Sequence, residues 1–199
     1  MATSALVVTD VQHDFCEGGA LAVPDAAAIL PVVNELIQTF ERVIFTQDWH
    51  PSGHVSFASS HPGRRVFDRI ALSAGEQILW PDHCVAGTPG AALHRGLHVP
   101  PHATVLQKGV HKSIDSYSAF FENDGTTAVG LDGLLRETGV RDIVLVGLAT
   151  DFCVLRTALD GRRLGYEVTV VESGCKGIDI DDSLAAAWNQ MAAAGVRRG

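Results

Sequence analysis

The sequence predicts an α/β fold, with a parallel, doubly wound sheet in a three-layer α/β/α arrangement. Short apolar, β-branched runs alternate along the chain with segments whose apolar residues recur at helical spacing. Strands that alternate with helices form βαβ units, which build parallel sheets covered on both faces. We expect one domain over residues 1–199, because a chain of this length can bury a substantial core on its own.

The pattern places five strands and four helices along the chain. The predicted strands cover 5–9, 43–46, 104–107, 143–146 and 168–171. The predicted helices cover 28–40 with Pro31 in the first turn, 131–138 with Gly139 as its cap, 153–164, and a last helix that begins after Asp182 as N-cap. Residues 49–103 break the alternation and are rich in Gly, Pro and His, and such a long irregular segment is usually functional.

Composition excludes several classes of partner. The net charge is −8, from 15 basic and 23 acidic side chains, and no Lys/Arg cluster occurs, which argues against binding nucleic acid or an anionic membrane. No signal peptide or membrane-spanning stretch is recognised. The four cysteines contain no CxxC pair, which favours a reduced, cytoplasmic protein with free thiols.

Four predicted strands end on or just before a reactive side chain. The side chains at these ends are Asp10, Asp48 with His50, Lys108 and Cys153. Open parallel sheets bind ligands outside the carboxyl ends of their strands. We therefore expect these groups to lie at one edge of the sheet and to form an active site.

Cys153 is the candidate nucleophile. At a helix N-terminus the dipole lowers the pKa of a thiol, and we expect this to favour the thiolate. Lys108 would stabilise that thiolate, and Asp10 could take the thiol proton and pass it to a leaving group. The alternative is that Cys153 is a buried structural cysteine, that Asp10 caps a helix or turn, and that Lys108 is a solvated loop residue. We favour the catalytic interpretation, because three reactive side chains at strand ends are unlikely to occur together by chance.

A divalent metal site is predicted at the end of the second strand and in the irregular segment that follows it. Asp48 and His50 alternate along a strand, so both side chains point to one face. His83 is the best third ligand, and His54 and His61 are further candidates. A solvent-exposed, His-rich loop is the alternative.

Aromatic residues are concentrated near the same loops. The residues are Phe15, Trp49, Phe57, Trp80 and Tyr117. An aromatic-lined pocket with a few polar groups suits a small planar ligand. Packing of loops against the body of the protein would explain them equally well.

Six motifs together resemble the nicotinamidase/pyrazinamidase branch of the isochorismatase-like cysteine hydrolases. The motifs are DxQxDF at 10–15, TQDWHPxxHxSF at 46–57, WPDHCVxGTPGA at 80–91, QKG at 107–109, DSYSAF at 115–120 and GLATDFCV at 147–154. They follow one another in order from about residue 5 to residue 196. No single motif would be specific for this family, but the six motifs together are.

The resemblance implies a role for each candidate residue. It implies a catalytic triad of Asp10, Lys108 and Cys153, and an oxyanion hole from the N–H groups of Ala149 and Cys153. It also implies a cis peptide between Leu148 and Ala149, and a final edge strand that we expect to be short in this chain. The metal ligands implied are Asp48, His50 and His83, with His54 as an additional candidate; the ion is most often zinc, otherwise iron or manganese. Phe15 and Trp80 match the residues that sandwich the substrate ring, and Tyr117 completes the expected substrate-binding set.

The activity implied is metal-dependent hydrolysis of nicotinamide to nicotinate and ammonia through a thioester, in NAD salvage, with pyrazinamide as a second substrate. The partner is a small molecule, and a homo-oligomer is left open. Rival hypotheses are a carbamoylsarcosine-type or ureidoacrylate-type amidase, an isochorismatase-like vinyl-ether hydrolase, and a non-catalytic metal-binding module or redox sensor. The DWHP motif with a downstream His argues against the other hydrolases, and the intact Asp10, Lys108 and Cys153 argue against a non-catalytic protein.

Overall fold

A six-stranded parallel sheet forms the centre of the computed structural model, which describes residues 4–101 and 103–199. In chain order the strands of the described residues are β1 (Ser4–Thr9), β2 (Val43–Asp48), β3 (Arg69–Leu72), β4 (Gly75–Ile78), β5 (Thr104–Lys108), β6 (Asp142–Leu148), β7 (Glu167–Lys176) and β8 (Arg197–Arg198). The parallel sheet has the order β5-β2-β1-β6-β7-β8, and β3 pairs with β4 as a separate antiparallel hairpin.

Helices cover both faces of this sheet. They are α1 (Leu30–Thr39), α2 (Leu131–Glu137), α3 (Leu155–Arg163) and α4 (Ser183–Ala193). Successive residues of a strand point to opposite faces. Accordingly Ala5 and Val7 of β1 pack in one core cluster with α2, α3 and α4, whereas Leu6 and Val8 pack in the other with α1. The predicted three-layer, doubly wound α/β/α fold is confirmed. None of the helices in the described part of the chain is long and apolar enough to cross a membrane.

Several local predictions need correction. The irregular segment contains the β3–β4 hairpin, which its sequence did not indicate. Asp182 precedes α4 as predicted, but it has a φ of 61° and its side chain makes no capping hydrogen bond. Cys153 does not open an α-helix; it lies in a π-helical turn, Thr150–Val154, which leads into α3. The final strand β8 is short, with two residues, as expected. The assignment of one domain to 1–199 stays a prediction.

The strand order determines where ligands can bind. From β1 the chain continues to β2 and β5 on one side, and from β6 it continues to β7 and β8 on the other. The crevice between β1 and β6 is therefore the switch point of the doubly wound sheet. Gly147 permits the close pairing there, since a Cβ at this residue would collide with the carbonyl oxygen of Thr9. Asp10 directly follows β1, and Cys153 follows β6 by one turn.

Candidate active site and metal centre

Lys108, Asp10 and Cys153 meet in one buried cluster at this switch point. Lys108 Nζ lies 3.4 Å from Cys153 Sγ and 3.0 Å from Asp10 Oδ2. An oxygen of Asp10 lies within 4.8 Å of the Cys153 sulfur. The hydroxyl of Thr46 donates to Asp10 Oδ1 at 2.6 Å and holds that carboxylate in place. The three residues predicted from separate strand ends are thus brought together.

Lys108 has two further neighbours that the sequence did not indicate. Its ammonium donates to Asp48 Oδ1 at 2.5 Å and to the carbonyl oxygen of Ser116 at 2.8 Å. The sequence predicts a role for Asp48 only in the metal site. One ammonium therefore lies between two buried carboxylates, Asp10 and Asp48, and physically joins the thiol cluster to the metal-ligand cluster.

Burial dominates the protonation of the thiol cluster. It raises the pKa of Asp10 to about 6, against the opposing effect of Lys108 and with a further contribution from Asp48. Burial also raises the pKa of Cys153 well above its ordinary value, and Lys108 only partly opposes this. Burial works against the charge of Lys108, but Asp10 and Asp48 more than offset it and hold its pKa well above the ordinary value.

The expectation of a resting thiolate is therefore wrong. It rested on the dipole of a helix N-terminus, whereas Cys153 lies inside a π-helical turn and is only 5% exposed. A protonated thiol needs a base, and Asp10 is well suited to that task. Thr46 and Lys108 hold its carboxylate in place, with an oxygen within 4.8 Å of the Cys153 sulfur.

Asp48, His50 and His83 form a compact set of potential metal ligands. Each residue offers one ligand atom, these atoms lie within 4.8 Å of one another, and all three side chains are buried. Nδ1 of His50 lies 3.0 Å from the carbonyl oxygen of Gly109, and Nδ1 of His83 lies 2.8 Å from that of Pro81. A carbonyl oxygen can only accept, so each Nδ1 carries a proton and each Nε2 can act as a ligand. His50 Nε2 lies 3.7 Å from Asp48 Oδ2, within the same ligand set. A carboxylate and two such imidazoles fit a divalent metal ion.

The charge states of two ligands also suit a metal. Burial disfavours the charged form of Asp48, but Lys108 and His50 more than offset this and hold its pKa well below the ordinary value. Burial and the neighbouring His50 lower the pKa of His83 to about 4. A carboxylate and a neutral imidazole, the forms that bind metals, are therefore present at neutral pH.

His54 lies next to this set, but both of its ring nitrogens already have partners. Nε2 lies 3.1 Å from the carbonyl oxygens of His111 and Ile114, and Nδ1 lies 2.8 Å from the hydroxyl oxygen of Ser56. The ring stacks on His50, with centroids 4.2 Å apart. His54 nevertheless forms a second group of convergent ligand atoms with His50 and Asp115, so an additional ligand role for His54 stays a prediction. The other candidate, His61, places Nε2 2.7 Å from the carbonyl oxygen of Val55 and is not in any group of convergent ligand atoms among the described residues.

Two residues that support the metal ligands were missed. The fully buried side-chain amide of Gln12 donates to the carbonyl oxygen of Asp48 at 2.8 Å and accepts from its N–H at 2.8 Å. The carboxylate of Asp14 accepts the N–H of Cys84, next to His83, at 2.7 Å. Both belong to the DxQxDF motif, which was the available signal, but periodicity does not reveal such contacts between side chain and backbone.

The thiol and the metal ligands line one small cavity with aromatic walls. Phe15, Trp80 and Tyr117, the predicted substrate-binding residues, all line it. The Trp80 indole N–H donates to the Tyr117 hydroxyl at 3.0 Å. Leu21, Asp115, Phe152 and Ile178 also line the cavity and were not predicted. Trp49 and Phe57 are not among its lining residues.

The backbone just before the π-helical turn has the predicted cis peptide. The Leu148–Ala149 peptide is cis, and Ala149 lines the cavity beside Cys153. The Ala149 carbonyl oxygen accepts the N–H groups of Phe152 and Val154 at 3.1 and 3.2 Å. The oxyanion role of the Ala149 and Cys153 N–H groups stays a prediction.

The fold and the site define a class of three-layer α/β enzymes with a buried thiol at the sheet switch point. Residues 4–197 match the family model described as the isochorismatase domain, and the chain belongs to this family. It is 49% identical to a nicotinamidase of Acinetobacter baylyi over 98% of the chain and 91% of that relative. The chain is therefore an amide hydrolase of the isochorismatase family.

Solved structures agree with this assignment. A nicotinamidase/pyrazinamidase of Acinetobacter baumanii superposes with a TM-score of 0.97 at 51% identity, covering 98% of this chain and 95% of the other. A pyrazinamidase of Pyrococcus horikoshii in complex with zinc superposes with a TM-score of 0.82 at 34% identity, covering 100% and 99%. The fold is thus shared over essentially the full length of these enzymes.

Proposed function

We propose that the chain hydrolyses nicotinamide to nicotinate and ammonia in cytoplasmic NAD salvage, and that it also hydrolyses pyrazinamide. The observation that carries this proposal is the joint site, in which the Cys153 thiol and the Asp48–His50–His83 set line one aromatic cavity. The activities of the relatives from both Acinetobacter species support it.

The reaction proceeds by covalent catalysis on Cys153. Asp10 takes the thiol proton as the sulfur attacks the carboxamide carbon, and the carbonyl oxygen becomes an oxyanion. The N–H groups of Ala149 and Cys153 stabilise that oxyanion, and losing one such donor typically costs about 2.7–4 kcal/mol of barrier. The C–N bond breaks, and Asp10 returns the proton to the leaving ammonia. Water then attacks the thioester, which releases nicotinate and restores the thiol.

Lys108 provides the electrostatic balance for these steps. Its ammonium is 3.4 Å from the sulfur and 3.0 Å from Asp10. The negative charge passes from the Asp10 carboxylate to the Cys153 sulfur as the proton moves between them. Lys108 stabilises that charge in both positions. Because Asp48 also contacts Lys108, the charge of the ligand set and that of the nucleophile are coupled.

Asp48, His50 and His83 are the residues that would hold a divalent metal, in the first place zinc, otherwise iron or manganese. The Nε2 atoms of both histidines and the ionised Asp48 support this, as does the zinc complex of the Pyrococcus horikoshii relative. When bound, such an ion supplies a Lewis acid that can anchor the pyridine nitrogen. Phe15, Trp80 and Tyr117 would bind the ring from the sides.

Ammonia release from nicotinamide by purified, zinc-loaded protein tests the proposal directly. N-carbamoylsarcosine, ureidoacrylate and isochorismate should be assayed in parallel, since these are the substrates of the rival hydrolases. We expect turnover of nicotinamide and pyrazinamide only. Absence of ammonia from nicotinamide at full metal occupancy, or faster turnover of a rival substrate, would refute it.

A further inference from the structure

Asp151 is a buried carboxylate that the proposed mechanism does not use. It lies two residues before Cys153, in the same π-helical turn, and is 5% exposed. Its Oδ1 accepts the N–H of Ile178 at 3.0 Å, and its Oδ2 accepts the N–H of Asp179 at 2.8 Å and the hydroxyl of Ser183 at 2.5 Å. All three donors belong to residues 177–183, here called the 177–183 loop, which comprise the connection after β7 and the first residue of α4. One side chain thus ties this loop to the turn of the nucleophile.

The 177–183 loop depends on such an external anchor. Asp179, Asp181 and Asp182 all adopt left-handed backbone conformations, with φ of 59°, 53° and 61°. Residues other than glycine seldom adopt this conformation, and they persist in it only when the surrounding structure imposes it. The contact is also close, because a Cβ on Gly177 would lie 3.1 Å from Asp151 Oδ1.

The loop carries a wall of the cavity. Ile178, whose N–H is held by Asp151, lines the cavity together with Phe152 and Cys153. The same carboxylate therefore connects the nucleophile's turn to the loop that carries Ile178.

The geometry points to Asp151 as a positioning residue that sets the distance between Ile178 and Cys153 and so the fit of the substrate ring. This inference rests on the proposed function for the identity of the ring. Asp151 is not a catalytic residue, because its two oxygens are engaged by three donors of the loop. Its effect should appear mainly in KM, because it shapes the cavity and leaves the reacting groups intact.

Asp151→Asn is the sharpest variant for the test. Asparagine has nearly the same shape but replaces one acceptor oxygen with an NH2 group, which would face an N–H or hydroxyl donor. We expect the amide hydrogens of Ile178 and Asp179 to exchange at least about tenfold faster, and KM for nicotinamide to rise about tenfold with kcat nearly unchanged. Asp160→Asn is the matched control, since Asp160 lies on α3 and pairs with Arg163. It should change neither quantity.

A double-mutant cycle with Ile178→Ala tests the route of the effect. Ile178→Ala removes the wall but leaves the Asp151–Asp179 bond, so KM should rise while the Asp179 amide stays protected. If Asp151 acts through Ile178, the double variant should have a KM no higher than that of the more affected single variant.

Two results would overturn the inference: fully additive KM effects in this cycle, or unchanged amide exchange in Asp151→Asn. The exchange measurement needs no substrate. It therefore remains decisive even if the wild-type protein releases no ammonia, a result that would refute the proposed function instead.

Discussion

The carboxyl of Asp10 has a pKa close to the range in which enzymes work. Burial raises it to about 6, against the opposing charge of Lys108. Only the deprotonated carboxylate can take the thiol proton, so the active form is lost as the pH falls through that value. We expect kcat/KM for nicotinamide to fall about tenfold per pH unit below about 6.

The measurement is a pH–rate profile with the metal content determined at every pH. The metal content is the control, because acid also protonates the imidazole ligands. A profile that stays level through pH 6 and below, with the metal retained, would contradict the role of Asp10.

Cys153 is expected to be essential for turnover but not for metal binding. Its sulfur is the proposed nucleophile and is not part of the Asp48–His50–His83 set. Cys153→Ala should lower kcat by about 10⁴-fold or more and leave zinc affinity unchanged. Ammonia assays and zinc titration measure the two properties.

Cys175→Ala is the matched control, because this buried thiol lies on β7 and does not line the cavity. It should retain both properties. Near-wild-type turnover of Cys153→Ala would exclude the covalent mechanism.

Side-chain chemistry was predictable at these positions only in part. The residue types at the strand ends indicated a carboxylate, an ammonium and a thiol together, because the ends of parallel strands share one edge. The protonation of Cys153 was not predictable, since desolvation depends on how completely the folded chain covers the sulfur. The contact between Lys108 and Asp48 depends on the register of β5 against β2, which pairs these two residues directly.

At the level of elements, the turn after β5 is built around the His50 ring. Gly109 has a φ of 63°, and a Cβ there would collide with Cε1 and Nδ1 of that ring. Gly109→Ala should displace the imidazole and lower zinc affinity by about 10–100-fold, as loss of a supporting contact commonly does. Competition with a chelator measures this affinity.

Gly125→Ala is the control for backbone strain, because Gly125 has a φ of 71° but no atom lies within 4 Å of the position that a Cβ would occupy. It should lose stability without losing zinc affinity. Equal zinc affinities for the two variants would show that contact with the ring is unimportant.

The predicted secondary-structure elements were correct where the pattern of apolar residues was strong. The strands β1, β2, β5 and β6 are apolar and β-branched, and each was found within one or two residues of its ends. The β3–β4 hairpin was missed because its strands are short and largely exposed, so no apolar alternation marks them. Gln12 was missed for another reason. Its side-chain amide makes two hydrogen bonds to the backbone of Asp48, as a neighbouring strand would, and a contact between residues so far apart in sequence leaves no periodic pattern.

At the scale of the molecule, the ligand set connects distant parts of the chain. Asp48 and His50 lie at the end of β2 and just beyond it, whereas His83 comes from the far side of the β3–β4 hairpin in the irregular segment. The ring of Phe15, from the turn after β1, lies 5.4 Å from that of His83. A metal bound there would therefore tie the hairpin region to the sheet, and should stabilise the whole fold as well as the site.

Chelation should accordingly lower the melting temperature, and zinc should restore it. A ligand at 100 times its Kd that binds only the folded state adds about 2.7 kcal/mol to the free energy of unfolding. For a chain of this size, this corresponds to a rise in Tm of about 5–10 °C. Thermal melts with and without zinc measure the shift. His83→Ala should lose the zinc-dependent shift, while Cys153→Ala should keep all of it, because the sulfur is outside the ligand set. A shift that survives in His83→Ala would place the stabilising ion elsewhere, and no shift in the wild-type protein would mean that the irregular segment is held without a metal.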